Sequence, residues 1–494
     1  MKDNYLNNQE CFASRKLYFS KMIFLSFFLL GSTLVYAQCD NWEETNMDAE
    51  WSARAGLQAV QQDGRFLILG GRTPRPPSVP AIPGDSDIWN DVWASDDKGN
   101  TWTKILDNDD TGQHWPARAY FQALTRNDSI FILGGQNYIT AINPADSSLV
   151  STSDFFNDVW VSPDGVAWQQ LTDSAGWTGR AGLSSAVFND EFYVMGGSLN
   201  DDAAVIGGPP QRIYYNDVWK SADGMNWELL TDSAAWTPRA GGIATVKDGY
   251  LYMIGGEEGF LCLPGSPCPP YYNDVWRTLD GVNWELVTDN APWAARPGHQ
   301  CVIADNQFVL FGGFGLDPNN PFGANNPIDA WVSQDGLNWE MLAAPPWNAT
   351  ESMEIKYDFD ALVDFDMTEN RTYIYSFGGD RETFNFADPT NYLNIDNDVW
   401  RFCVGNVVTK VEEMTPTINL KIFPNPSFDE VRVNSSERIT KITLYNLSGE
   451  RMETEVVSSS IFVQKIDVSS FPSGIYWLEI QVDGERLMEK FVKM

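Results

Sequence analysis

A Gly-Gly pair recurs six times, at 70–71, 134–135, 196–197, 255–256, 312–313 and 378–379, and each pair closes a short apolar run such as Phe66-Leu67-Ile68-Leu69. Beyond it comes Asn-Asp-Val-Trp, ending at Trp93, Trp160, Trp219, Trp276 and Trp400, with Ile-Asp-Ala-Trp331 as the variant. A second tryptophan follows a glycine turn (Trp102, Trp168, Trp227, Trp284, Trp339), and a third comes after that (Trp115, Trp177, Trp236, Trp293, Trp347). Three residues past the third stands Arg118, Arg180, Arg239 or Arg296; the Trp347 unit lacks the arginine. The missing sixth members lie at the other end of the chain, as Trp42, Trp51 and Arg54. The three columns hold 18 of the 20 tryptophans. The repeat is therefore circularly offset, with early residues completing the last unit.

Each unit reads as four short strands, which cannot bury their faces alone and must pack on their neighbours. An open solenoid has no use for an offset of this kind, whereas a ring does. The expectation is an all-β chain whose residues 38–403 form a six-bladed β-propeller. The units resemble the kelch family, whose repeats carry Gly-Gly after the second strand and a spaced aromatic and tryptophan beyond it. The likeness covers about residues 39–403. The turn Ser95-Asp96-Asp97-Lys98-Gly99-Asn100-Thr101-Trp102 also resembles the Asp-box of sialidases, and the other copies are one residue shorter.

Both ends of the chain read as addresses. Arg15, Lys16 and Lys21 precede an apolar run from Met22 to Leu30, and Val35-Tyr36-Ala37 offers small residues to a signal peptidase, so residues 1–37 are expected to be a signal peptide. No segment of the mature chain is apolar enough to span a bilayer. Residues 404–418 read as a linker, and 419–494 as a small antiparallel β-sandwich of alternating segments. That module closely resembles the type A C-terminal sorting domain of the type IX secretion system of Bacteroidota. Its marks are Phe423-Pro424-Asn425-Pro426-Ser427, Leu447-Ser448-Gly449, Gly474-Ile475-Tyr476 and Lys490-Phe491-Val492-Lys493. The resemblance implies the type IX machinery and its sortase as partners, passage across the outer membrane, an extracellular or cell-surface location, and removal of the module on the way.

Composition then narrows the function. Asp plus Glu is 67 against 33 Lys plus Arg, a net charge of −34 that repels phosphate backbones, so no nucleic-acid partner is expected. The two histidines, His114 and His299, are far apart, which leaves no His-based metal centre. The run Asp107-Asn108-Asp109-Asp110-Thr111-Gly112 has the early oxygens of an EF-hand loop but Arg118 at its twelfth position, so it fails as one. No metal or cofactor is expected, with weak calcium binding left open. The six cysteines suggest Cys39–Cys403 across the ring closure, Cys262–Cys268 within one loop, and Cys301 as a buried thiol.

Residues repeated in every unit are fold residues by default, and a structural role is favoured for the tryptophans and the arginines. The long, dissimilar connections between second and third strands are the expected binding face. They carry Arg72, Arg75, Arg212, Arg381, Tyr138, Tyr271, Phe260, Phe322 and Phe384, above a channel mouth where Arg54, Arg118, Arg180, Arg239 and Arg296 would form a ring suited to a small anionic or sugar ligand. The reading is an exported binding or adhesion module for a glycan or protein. The alternative is a carbohydrate-active enzyme, such as a sialic-acid mutarotase or a sialidase-like glycosidase; no catalytic set can be read from the sequence.

Overall fold

The computed structural model describes residues 41–494 apart from 77–85, 138–139, 143–148, 152, 201–211, 260–268, 318–319, 384–387, 389, 404–419, 447–450 and 483–484. It is an all-β structure in which three short 3-10 turns are the helical elements among the described residues. The chain divides into two compact units, residues 1–405 and 406–494.

The first unit holds six four-stranded antiparallel sheets. Sheet one runs Gln58–Gln62, Arg65–Pro74, Ser86–Ser95 and Thr103–Leu106, each strand pairing with the next. The next four sheets repeat this order, beginning at Gln122, Ser184, Ile243 and His299. Sheet six takes Asp360–Asp366, Arg371–Asp380 and Ile395–Cys403 from the end of the unit and its fourth strand, Trp42–Asn46, from the start. Trp42 stands opposite Phe402 and Glu44 opposite Trp400. First strands pack side by side in chain order, and that of sheet six packs on that of sheet one.

Each second strand is buried on both faces, which is why it reads as an unbroken apolar run. Its ladder is broken at Gly-Gly, where both glycines have positive φ, 67° and 94° at Gly134 and Gly135, and a Cβ on Gly135 would come within 2.6 Å of Phe121 Cβ; in sheets one, four and six the strand resumes past the pair after a register shift. The second glycine's N–H reaches the next sheet. Gly71 donates to Arg118 O (2.9 Å), Gly135 to Arg180 O (2.8 Å), Gly197 to Arg239 O (2.8 Å), Gly256 to Arg296 O (3.4 Å), Gly313 to Lys356 O (3.0 Å), and Gly379 back to Arg54 O (3.0 Å). The tryptophan columns fill the space between sheets. Trp51, Trp115, Trp177, Trp236 and Trp293 are fully buried, and each meets a second-column indole edge-on, with centroids 5.8–6.2 Å apart. Cys301 lies in the first strand of sheet five as a buried free thiol, its pKa raised by burial. Cys403 is disulfide-bonded. Cys39, Cys262 and Cys268 lie outside the described residues.

The second unit is a five-stranded antiparallel sheet, where a sandwich was expected. The reason is the 17-residue strand Glu430–Asn446, which serves both halves. It pairs with Leu420–Phe423 at its start and Gly474–Val482 at its end, on either side of a register shift between Asn434 and Ile439. Val431, Val433, Ile442, Leu444, Leu478 and Phe491 form its core.

A second set of latches joins the first strands through side chains. Gln58 Oε1 accepts from Ala123 N (2.9 Å), and Asp360 Oδ2 accepts from Ala59 N (2.7 Å) across the seam between sheets six and one. Burial pushes the Asp360 carboxyl up to about 7. Since this lies above its unfolded value of about 3.9, the stability tied to Asp360 is fully present below that value and is lost as pH rises through 7. The melting temperature is expected to fall between pH 4 and 7 more steeply in the native protein than in Asp360→Asn, a difference that calorimetry across that range will read; parallel slopes refute it.

Candidate functional site

The repeated arginines are not at a surface. Arg54, Arg118, Arg180, Arg239 and Arg296 are 0–1% exposed. Arg118 shows the pattern: Nε donates to Pro116 O (3.0 Å), Nη1 to Gly134 O (2.9 Å) and Asp158 Oδ1 (2.7 Å), and Nη2 to Asp158 Oδ2 (2.9 Å). Asp158 belongs to the Asn-Asp motif and also accepts from Trp160 Nε1 (2.7 Å). Phe156 lies 4.0 Å from the guanidinium, as Tyr215 does at Arg180 (3.9 Å) and Tyr272 at Arg239 (4.1 Å). These forks are filled by the protein itself. They are not free to hold an anion at a channel mouth, because every face of the guanidinium is covered.

Sheet six keeps the site with different residues. Lys356 Nζ pairs with Asp398 and, at 3.1 Å, with Asp396, which stands where sheets one to four place the aromatic. Lys356 was missed in the sequence because it lies nine residues past Trp347, whereas the arginines lie three past theirs. Arg381 is bound into the same cluster, with Nε 2.5 Å from Asp396 Oδ2 and Nη2 3.6 Å from Asp398.

The residue after each Gly-Gly forms another column, and here the types differ: Arg72, Gln136, Ser198, Glu257, Phe314 and Asp380. All six are buried, and each is joined to the backbone beside the repeated Arg or Lys. Next to them runs a second backbone ring. Tyr120 N donates to Gly56 O (2.9 Å), Gly182 N to Tyr120 O (2.9 Å), Gly241 N to Gly182 O (3.0 Å), Asp358 N to Gly298 O (3.0 Å) and Gly56 N to Asp358 O (2.8 Å). The six ring residues have φ between 52° and 64°; four are glycine, and the other two are Tyr120 and Asp358. A non-glycine residue held there costs about 1–3 kcal/mol, and such outliers cluster at functional sites.

Polar side chains gather at this ring across sheets six, one and two. Arg72 donates from Nε to Tyr120 Oη (2.7 Å) and from Nη2 to Asp380 Oδ2 (2.8 Å). Asp380 Oδ1 accepts from Glu382 N (2.8 Å), and Tyr357 Oη donates to Glu382 O (3.2 Å). Burial raises the pKa of Asp380 against the pull of Arg72, while burial and the neighbouring Asp380 raise that of Glu382. This is the candidate site. Arg72 was expected here as a ligand contact, but it is a buried partner of a fully buried carboxylate.

Other expected contacts scatter. Arg75 is exposed and pairs with Asp87 (Nε–Oδ1 2.8 Å). Arg212 is half-buried beside Gly259, and Tyr271 is half-buried with its ring 6.4 Å from Phe314. Tyr138, Phe260, Phe384 and the side chain of Phe322 lie outside the described residues. The calcium-like run is a capped turn, in which the Asp109 carboxylate accepts from Thr111 N (3.0 Å) and Gln113 N (2.9 Å). A cavity of about 300 Å³ at the seam of sheets six and one, lined by Glu43, Glu44, Lys98, Asp366, Tyr375 and Arg401, is charged, with Lys98 bound to Asp364 and Arg401 to Glu43.

In the second unit the sorting marks bind one another. Asn425 Oδ1 accepts from Val492 N (3.0 Å) and its Nδ2 donates to Lys490 O (3.1 Å), holding Pro424-Asn425-Pro426 on the strand Glu485–Lys493. Tyr476 stacks on Phe491 and donates to Pro472 O (2.8 Å), just ahead of Gly474. Lys490 is exposed, and Lys493 Nζ donates to Met494 O (2.7 Å). Gly449 lies outside the described residues.

Residues 421–494 match the secretion system C-terminal sorting domain family. This unit is a type IX sorting domain. It directs the chain through type IX secretion to the cell surface or the extracellular space. Among curated proteins, the chain is similar to beta-agarase D of Zobellia galactanivorans, 26% identical over 220 residues, which is 44% of this chain and 40% of the relative. It is also similar to the dynein alpha chain of the flagellar outer arm of Chlamydomonas reinhardtii, 23% identical over 265 residues, 50% of this chain and 5% of the relative. The chain spans less than half the length of either. No helix among the described residues is long and apolar enough to cross a membrane.

Removing one partner of a buried ion pair strands the other, at about 3–5 kcal/mol. Arg118→Met is expected to lose that much in chemical denaturation, with part recovered by adding Asp158→Asn. Stability equal to that of the native protein would instead mark Arg118 as a replaceable surface group.

Proposed function

We propose that the six sheets are the blades of a kelch-like β-propeller, and that the exported protein is a binding or adhesion module taking a glycan or protein ligand on the face bearing the connections between second and third strands. The observation that carries this reading is the column after Gly-Gly. The Gly-Gly and tryptophan columns repeat one residue type for one structural task and the arginine column departs from it only at Lys356, whereas this one varies in charge and size at a fixed register beside Tyr120 and Asp358, which spend backbone strain there. A rigid repeated frame presenting a non-repeated cluster is how a recognition site is built on a scaffold. The ligand contacts assigned to Arg72 and Arg381 pass in this reading to their neighbours, because both guanidinium groups are engaged in ion pairs.

A second reading, a carbohydrate-active enzyme, draws on the similarity to a beta-agarase and on the raised carboxyls of Asp380 and Glu382, the kind of pair that proton transfer to a glycosidic oxygen requires. One experiment separates the two. Purified protein incubated with a panel of neutral, sulfated and sialylated oligosaccharides is expected to retain a subset without changing it, as read by affinity chromatography and mass spectrometry of the eluate. New products would favour the enzyme, and no retention would remove the glycan ligand.

The resemblance of the second unit to sorting domains supports its removal after transport, and the pairing of Trp42 with Phe402 brings the chain next to Cys39 close to Cys403. A Cys39–Cys403 bond would lock sheet six and, on chain-entropy reasoning, contribute on the order of 5 kcal/mol. Intact-mass analysis and non-reducing peptide mapping of the secreted protein are expected to find a C-terminus near residue 419 and Cys39 linked to Cys403; a chain ending at Met494, or a free Cys39, counts against the respective half.

A further inference from the structure

The ligand class of this site can be drawn from one side chain that the fold leaves unserved. Gln136 holds the same register as Arg72 and Asp380, whose side chains meet each other across the boundary between sheets six and one. It bridges Ala119, next to Tyr120, so it belongs to the arc Asp380–Arg72–Tyr120. Gln136 is 4% exposed, and its Oε1 has no hydrogen-bond partner among the described residues. A buried amide oxygen without a donor is costly, and native folds rarely keep one without a use. The backbone partner of Gln136, Ala119, is followed by Tyr120, half-exposed and held at φ 55° by the ring.

The charge around it selects what can approach. Asp358 stands in the ring, Glu257 and Asp380 in the column and Glu382 two residues beyond it, against Arg72, with Arg212 beside Gly259. Arg72 is already given to Asp380 and Tyr120, and Glu257 Oε2 is given to Gly259 N (2.7 Å). A carboxylate, sulfate or phosphate would meet excess negative charge at the arc, whose own cation, Arg72, is committed, while Arg212 stands beside Gly259 and outside the arc. A hydroxyl suits the place, because it donates to a lone acceptor such as Gln136 Oε1 and brings no charge.

We infer that the site recognises an uncharged, hydroxyl-rich sugar terminus, with Gln136 Oε1 accepting from one ligand hydroxyl and Tyr120 and Asp358 forming the wall beside it. This rests on the reading that the face described above binds a glycan, and it replaces the anionic ligand that an exposed arginine ring would have favoured. It also makes an unusual demand on mutagenesis. An amide that serves the fold destabilises when removed, whereas an unserved one does not.

The test uses the secreted protein and two hexasaccharide probes, one of neutral galactose units and one of the same backbone carrying sulfates, measured by titration calorimetry. The native protein is expected to bind the neutral probe at least ten-fold more tightly than the sulfated one. Gln136→Met is expected to weaken the neutral probe at least ten-fold while leaving the melting temperature equal or higher, and Gln136→Glu to weaken it with the fold intact. A preference for the sulfated probe overturns the ligand class while leaving the binding face in place. Unchanged affinity in Gln136→Met, or a lowered melting temperature, overturns the role of Gln136. Binding of neither probe, nor of the glycan panel, removes the binding face itself.

Discussion

A buried guanidinium holds the first unit together. Arg118 touches two sheets at once: its backbone carbonyl takes the N–H of Gly71 from sheet one, and its side chain grips Gly134 and Asp158 in sheet two. Repeated at each boundary, this fixes both the spacing of neighbouring sheets and the register of second against third strands within each. Ion pairs this deep add little net stability, because desolvation offsets most of the Coulomb gain. Their value lies in geometry. The planar fork holds a carboxylate and a carbonyl in one fixed geometry, which the freely rotating donors of an ammonium do not impose. Where sheet six uses Lys356, the missing donors are compensated by a changed partner set: Asp396 replaces the aromatic and Arg381 supplies the second cation.

How far the sequence could be read follows from which columns are uniform. The Gly-Gly pairs, the tryptophans and the Asn-Asp motif each do one job in every unit, so they align by eye and give the strand order and the circular offset. The pairing of Trp42–Asn46 with Ile395–Cys403 follows directly from that offset. The arginines also aligned, and their uniformity was the warning that they serve the frame. A residue of one type at one place in every sheet meets one partner, and here the partner is the aspartate 33–40 residues further on. What could not be read was the column of Arg72, Gln136, Glu257 and Asp380. Its members share a register but no chemistry, and only coordinates show that sheets six, one and two bring three of them into one arc.

The ring strain points the same way. Glycine occupies four of the six left-handed positions because a Cβ there meets the neighbouring sheet, as at Gly298, where it would lie 2.6 Å from Asp358 Oδ1. Placing tyrosine and aspartate in the remaining two works against the local preference of the chain. Tyr120 is repaid in part by the hydrogen bond from Arg72 to its hydroxyl.

The arc also lies across the point where the chain meets itself. Asp380 belongs to sheet six and Arg72 to sheet one, and sheet six is complete only when Trp42–Asn46 has joined it. The closing contact links residues separated by nearly the whole unit. The entropy of closing so long a loop grows only slowly with length, so the cost is met by a few good contacts: Trp42 on Phe402 at 5.1 Å, Asn348 Nδ2 on Trp42 O at 2.7 Å, and Asp360 on Ala59 N. Until those form, Arg72 and Asp380 are two uncompensated charges on separate sheets. Once they form, each charge is buried against the other, and the polar arc that includes Gln136 exists. The candidate site thus lies where sheets six and one meet, and its assembly is coupled to the same N-terminal strand that completes sheet six.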